Sequence, residues 1–281
     1  MIKTLDRIRL VNGEEIFHRI IKPNGFPKAA IIVIHGHGDH SGGLDNLYSS
    51  LIEYDYIVYA FDLRGHGRST GKRGFIKDWI EYRDDLNQFH KFVVTDNPDL
   101  PIFIVGHSLG GVIALDYILY HQENINGIIT IAPAISYRMT KLEKLMIRLL
   151  AKLNPALALQ LKGNSSLLTN DQSVLDRISS DELRHNVVTP GLGNGLLEAV
   201  SGLMKRANSI NLPLLLQYGL EDKITPPQEL RLFFNLVAST EKKIHEYEKM
   251  KHRPFDDIDR ELFLSDMINW LEQRVKAPIG V

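Results

Sequence analysis

No cysteine occurs among the 281 residues, which excludes disulfides, thiolate metal ligands and a thiol nucleophile. Long hydrophobic runs are missing too: none approaches the roughly 18 apolar residues of a membrane-spanning helix. Net charge is close to zero, with 33 Lys and Arg against 34 Asp and Glu, so no global field exists to hold nucleic acid. The opening residues Met1-Ile2-Lys3-Thr4-Leu5-Asp6-Arg7 place charges where a secretory leader needs uninterrupted apolar side chains. These absences lead to the expectation of a cytoplasmic protein, soluble or held peripherally at a membrane surface, with no nucleic-acid partner. What is present is a 44% hydrophobic and 24% charged chain, able to bury the core of one large α/β domain with an insertion.

Short apolar runs alternate with helix-period segments from about residue 29 onward, the pattern of a mostly parallel sheet with helices on both faces. Strands are expected near 29–35, 56–62, 101–106, 127–132, 212–219 and 243–247. An antiparallel pair is expected at 7–11 and 15–21, around the turn signal Asn12-Gly13. Helices should follow at 44–54, 77–94, 109–121, 227–238 and 260–275. Between Ser136 and about Asn211 the alternation stops, and the segment reads as helices and loops without a strand. About 70 residues between consecutive strands are too many for a loose connection, so residues 136–211 are expected to form a folded cap. Residues 1–135 and 212–281 would then form the core.

Gly106-His107-Ser108-Leu109-Gly110-Gly111 lies directly after the apolar run Pro101–Val105 and directly before the helix-period stretch Val112–Tyr120. A serine on a sharp strand-to-helix turn, with glycines permitting it, has its hydroxyl lifted above the carboxyl end of a sheet, where ligands bind in open α/β folds. Ser108 is the candidate nucleophile, and it needs a base, an acid to orient that base and donors for an oxyanion. Residues just beyond other apolar runs can supply them. His35-Gly36-His37-Gly38-Asp39-His40 follows the first parallel strand, and the N–H of His37 with that of Leu109 would make a two-donor hole. Gly219-Leu220-Glu221-Asp222 offers a carboxylate, with Asp222 preferred to Glu221, and Met250-Lys251-His252 offers the imidazole. The order Ser108, Asp222, His252 is that of the α/β-hydrolases.

The segments His35–Ser41, Phe61–Ser69 (Phe-Asp-Leu-Arg-Gly-His-Gly-Arg-Ser) and Gly106–Gly111 make the chain similar to the monoacylglycerol lipases and lysophospholipases of the α/β-hydrolase superfamily. The likeness extends through Leu168-Thr169 with Asp171 and through Gly219–Pro226. It implies an α/β-hydrolase fold with an inserted helical cap, a Ser108–His252–Asp222 triad, oxyanion donors His37 and Leu109, no cofactor, and a small lipid ester as substrate. It also implies a substrate contact at Asp39, where relatives carry an acid near the polar head group. One departure is the residue after the histidine, Arg253, where such enzymes commonly have Glu. The same triad would serve a lysophospholipase or a broad carboxylesterase.

A metal-dependent reading competes, since His35-x-His37-x-Asp39-His40 also matches the HxHxDH cluster of zinc hydrolases. The helical spacing of Val112–Leu119 and the unexplained Asp222 turn weigh against it, and no metal is expected. A hydrolase-fold binding protein without activity is the remaining alternative, against which stands the complete triad. In the cap, Leu142, Leu145, Met146, Leu149, Leu150 and Leu153 form one stripe, with Lys141, Lys144, Arg148 and Lys152 opposite. Leu145 and Leu149 are therefore expected to contact an acyl chain or to reach a membrane surface.

Overall fold

The computed structural model describes residues 2–135 and 139–275; residues 136–138, where the expected cap begins, and 276–281, at the expected end of the core, lie outside the described residues. The chain opens with β1 (Ile2–Arg9) and β2 (Glu15–Lys22), paired antiparallel. Then follow β3 (Ala29–Ile34), α1 (Asp45–Glu53), β4 (Tyr56–Phe61), α2 (Ile80–Asp96), β5 (Ile102–His107), α3 (Leu109–Ile118) and β6 (Gly127–Ile131). Next come α4 (Lys141–Leu153), β7 (Leu159–Gln160), α5 (Gln172–Ser180), β8 (Val187–Val188) and α6 (Pro190–Arg206). The chain closes with β9 (Leu214–Gly219), α7 (Pro227–Leu236), β10 (Lys242–Tyr247) and α8 (Arg260–Glu272).

Eight strands form one sheet in the order β1-β2-β4-β3-β5-β6-β9-β10. All pairings from β4 to β10 are parallel, and only the two that involve β2 are antiparallel. β3, β4, β5, β6 and β9 are buried along their whole length, which is why they read as continuous runs of Ile, Val and Leu. Alternate residues go to opposite faces. Ala30, Ile32 and Ile34 join the cluster under α2, α3 and α7, while Ala29, Ile31 and Val33 join the one under α1 and α8.

Two expectations need correcting. The first strand spans Ile2–Arg9, not 7–11, because the Asn12-Gly13 turn is wider than a two-residue hairpin: the N–H of Leu10 donates to Glu14 O at 2.8 Å. As a mostly exposed edge strand, β1 shows no alternation by which to place it. The segment between β6 and β9 also contains strands, β7 and β8, paired Leu159 to Val188 and Gln160 to Val187. A ladder of two residues is too short to leave a period in the sequence.

The helices of that segment differ in attachment. α4 starts in a capping box, Thr140 with Glu143, and buries no residue. α6, capped by Thr189 with Pro190 in its first turn, sends Leu192, Ala199, Val200 and Leu203 into the same cluster as α2 and α3. Among the described residues no helix is long and apolar enough to cross a membrane.

Candidate active site

Ser108 sits between β5 and α3 at φ 54° and ψ −116°. A non-glycine residue holds such a conformation at a cost of about 1–3 kcal/mol, so its surroundings must fix it. The Ser108 N–H donates to Ile131 O at 3.0 Å, and its carbonyl accepts the N–H groups of Gly111 and Ala134, both at 3.0 Å. α3 then starts hard against the end of β3. A Cβ on Gly110 would lie 2.3 Å from Ile34 O and 2.6 Å from His35 O, so only glycine permits this approach.

The other two side chains arrive from the last two parallel strands. β9 ends at Gly219, where a Cβ would lie 1.9 Å from Met250 O. That contact draws the loop carrying Asp222 against the loop carrying His252. His252 Nε2 is 3.0 Å from Ser108 Oγ, and His252 Nδ1 is 2.7 Å from Asp222 Oδ2. All three residues are buried. His107 donates from Nε2 to the carbonyl of His252 at 3.0 Å, steadying the backbone of that loop from beneath.

Asp222 is held by four donors. Ile224 and Thr225 give backbone N–H groups to Oδ1 at 2.7 and 2.9 Å, and Thr225 Oγ1 lies 2.5 Å from Oδ2 beside His252. Burial alone would raise this carboxyl, but His252 and the Thr225 hydrogen bonds outweigh it and hold it below the ordinary carboxylate range. Asp222 is therefore ionised at neutral pH and fixes which nitrogen of His252 carries the proton. The lone pair of Nε2 faces the hydroxyl, an arrangement able to take its proton.

Ser108, His37 and Leu109 line one cavity of about 640 Å³ whose remaining wall is mostly apolar, including Ile147, Leu150, Leu159, Leu161 and Leu192. Leu109 is the first residue of α3, so its N–H has no intrahelical acceptor. A second cavity of about 420 Å³ shares His37 and Ile224 with the first and is lined by polar groups such as Asn164, Ser179, Asp181 and Asn186. Burial, followed by the neighbouring His185 and His35, pushes His37 down to about 4, so its imidazole is neutral between the two cavities.

Asp39 lines neither cavity. Its carboxylate is buried and ion-paired with Arg184 and Arg253, so arginines occupy the group expected to contact substrate. Leu145 and Leu149 are both about half exposed, which places them on the outer surface of α4 and not at the cavity; the cavity is met by Ile147 and Leu150 on the adjoining stripe. The apolar side of α4 is broad, and its sequence does not say which edge of that side turns inward. The HxHxDH residues do not converge. His35 donates from Nδ1 to Gly36 O and accepts the N–H of Leu63 at Nε2, His40 contacts Asp181, and Asp39 holds arginines. Among the described residues no group of His, Asp and Glu is placed to hold a metal. Thr225 was not anticipated, although its position three residues after Asp222 is the spacing of a side-chain-capped turn.

Residues 25–259 match the family described as "Serine aminopeptidase, S33". The monoglyceride lipase of Rattus norvegicus is 32% identical over 279 residues, 96% of this chain and 91% of that protein. An abhydrolase domain-containing protein of Dictyostelium discoideum is 31% identical over 98% of this chain, which spans 30% of that protein's length. The crystal structure of Paleococcus ferrophilus monoacylglycerol lipase shares 28% identity and a TM-score of 0.82, over 91% of this chain and 98% of that one. Sheet order and these matches define the class as an α/β-hydrolase. Within it the chain belongs to the monoglyceride lipase family, and it is a carboxylic ester hydrolase.

Proposed function

We propose that the chain releases fatty acid from monoacylglycerols through an acyl-enzyme on Ser108. The observation that carries this reading is the Ser108–His252–Asp222 hydrogen-bond chain at the wall of a large apolar cavity. Ser108 Oγ attacks the ester carbonyl carbon as His252 Nε2 takes its proton, and Asp222 stabilises the imidazolium. The N–H groups of His37 and Leu109 receive the developing oxyanion. Collapse expels the alcohol, which takes the proton from Nε2. Water then attacks the acyl-enzyme with His252 as base, freeing the acid and regenerating the serine hydroxyl.

The acyl chain occupies the apolar cavity. Each methylene buried there is worth about 0.8 kcal/mol, or roughly fourfold in affinity, so a long chain is strongly favoured over a short one. Residues 136–211 serve as the cap over this cavity and 1–135 with 212–281 as the core. Leu142, Leu145, Met146, Leu149 and Leu153 are exposed on α4, as are Lys141, Arg148 and Lys152. This face rests on a lipid surface, with each basic residue near anionic lipid adding about 1 kcal/mol, and the protein works in the cytoplasm.

The test is initial fatty-acid release from a long-chain monoacylglycerol, a lysophosphatidylcholine of matched chain and a short-chain ester, with Ser108→Ala as blank. The monoacylglycerol should lead and the blank should lose most of the rate, the serine-protease precedent being about 10⁶. If the lysolipid or the short ester leads, the enzyme is a lysophospholipase or a broad carboxylesterase using the same serine.

A further inference from the structure

The residue directly after His252 is a fully buried arginine. Arg253 is 1% exposed, as is Asp39, and Asp256 is 0% exposed. The guanidinium plane is used along three edges. Nε donates to Asp256 Oδ2 at 2.8 Å, Nη2 lies 2.7 Å from the same oxygen and donates to Gly43 O at 2.6 Å, and Nη1 is paired with Asp39. The guanidinium carbon lies over the Phe255 ring, 4.8 Å from its centroid.

These partners belong to two different loops. Asp39 and Gly43 belong to the loop after β3 that carries His37. Asp256 closes the short turn after His252, where its N–H donates to Arg253 O at 2.9 Å. The region between β6 and β9 meets the same group: Leu168 O accepts the N–H of Arg253 at 2.8 Å, and Arg184 holds the other oxygen of Asp39. One rigid cation thus grips both ends of the reaction geometry, the loop that supplies an oxyanion N–H and the loop that supplies the base.

We propose that Arg253 is a positioning residue that locks the His37 loop to the His252 loop through Asp39. The proposal rests on the triad and oxyanion reading above. Arg253 lines neither cavity, so it contributes nothing to substrate binding directly. Its effect must fall on the relative placement of donor and base, where a misplacement of about 1 Å is enough to cost 10²-fold. A buried ion pair is by itself weak evidence for stability, which leaves placement as the reason for its chemistry. Lysine cannot substitute fully, because a point charge with no planar fork cannot reach Asp39, Asp256 and Gly43 together.

The experiment compares Arg253→Met, Arg253→Lys, Asp39→Asn and the Arg253→Met/Asp39→Asn double variant with the parent on a soluble short-chain ester. Rates of Ser108 labelling by a fluorophosphonate are measured alongside, and all rates are normalised to folded protein by circular dichroism. We expect kcat and labelling to fall about 10- to 100-fold in Arg253→Met and Asp39→Asn, with KM within about threefold. Arg253→Lys should recover part of the loss, and the double variant should be no worse than the worse single, because the two residues act as one unit. Where Arg253→Met fails to fold, Arg253→Lys and Asp39→Asn carry the comparison. Full rates per folded molecule with only a lower melting temperature, or losses that multiply in the double variant, would overturn the proposal. Absent labelling of the parent, or turnover surviving Ser108→Ala, would instead overturn the triad reading on which it rests.

Discussion

Thr225 and His252 share one oxygen of Asp222: the threonine hydroxyl lies 2.5 Å and the imidazole Nδ1 2.7 Å from Oδ2. Thr225 is buried and its own N–H donates to Oδ1 of the same carboxylate, so backbone and side chain of one residue hold both oxygens. Thr225 therefore shares with His252 the work of keeping a buried carboxylate ionised and aimed.

Replacing Thr225 with Val keeps the shape and removes that hydrogen bond. A bond to a charged acceptor is worth about 1.5–3 kcal/mol, so kcat should fall about 10- to 150-fold, with KM little changed. Steady-state kinetics on one ester check this. The loss should stay far below that of Asp222→Asn, for which the serine-protease precedent is about 10⁴. A Thr225→Val enzyme of parental kcat would show the hydroxyl to be dispensable.

The two stripes of α4 should separate by assay. Ile147→Trp or Leu150→Trp fills the cavity wall and should depress turnover of long acyl chains while sparing short ones. Leu145→Ser with Leu149→Ser changes only the outer face, so activity on a dissolved short ester should stay within about twofold, the usual result for exposed substitutions. The same pair should slow hydrolysis of substrate presented in anionic vesicles. Chain-length profiles in detergent and in vesicles distinguish the two effects.

Acid should destabilise the fold through its buried histidines, offset in part by Asp85, whose burial raises its carboxyl to about 6. Burial lowers the pKa of His35, His66 and His107 below the ordinary imidazole value, and it brings His37 to about 4, so His37 is neutral inside the protein at pH 5. In the unfolded chain histidine titrates near 6.5, so below that pH the unfolded state binds more protons and stability falls as pH falls. Each withheld proton adds about 1.4 kcal/mol per pH unit to the slope between 6.5 and the folded value. Asp39 acts in a lower window. Burial would raise it, but Arg184 and Arg253 hold it well below the ordinary carboxylate value, so its contribution is intact above about pH 4 and lost only below. Urea midpoints measured from pH 7.5 to 4.5 should drop steadily; a flat profile above pH 5 would contradict the neutral-histidine assignment.

The parallel strands were legible because β3, β4, β5, β6 and β9 are covered on both faces and so are written as unbroken apolar runs. The edge strand β1 and the two-residue β7–β8 ladder were not, since neither buries enough to impose a pattern. Ser108, Asp222 and His252 could be nominated from their places just beyond apolar runs. Thr225 could have been found from its spacing to Asp222, which is a local signal. The resemblance implied a substrate contact at Asp39, and no local signal in the sequence shows that this loop carboxylate pairs with an arginine 214 residues away.

Local chemistry, then, determined the alternation of strand and helix and the sharp turn at Ser108, because each depends on neighbours within a few residues, and the order of nucleophile, acid and base is read directly along the chain. Which side chains meet across the fold was decided only in three dimensions. The inward stripe of α4, the shared oxygen of Asp222 and the burial of Arg253 between Asp39 and Asp256 all rest on contacts between segments far apart in the chain. Burial turns a solvated arginine into a fixed strut, and no composition or period announces in advance which charge will be taken inside.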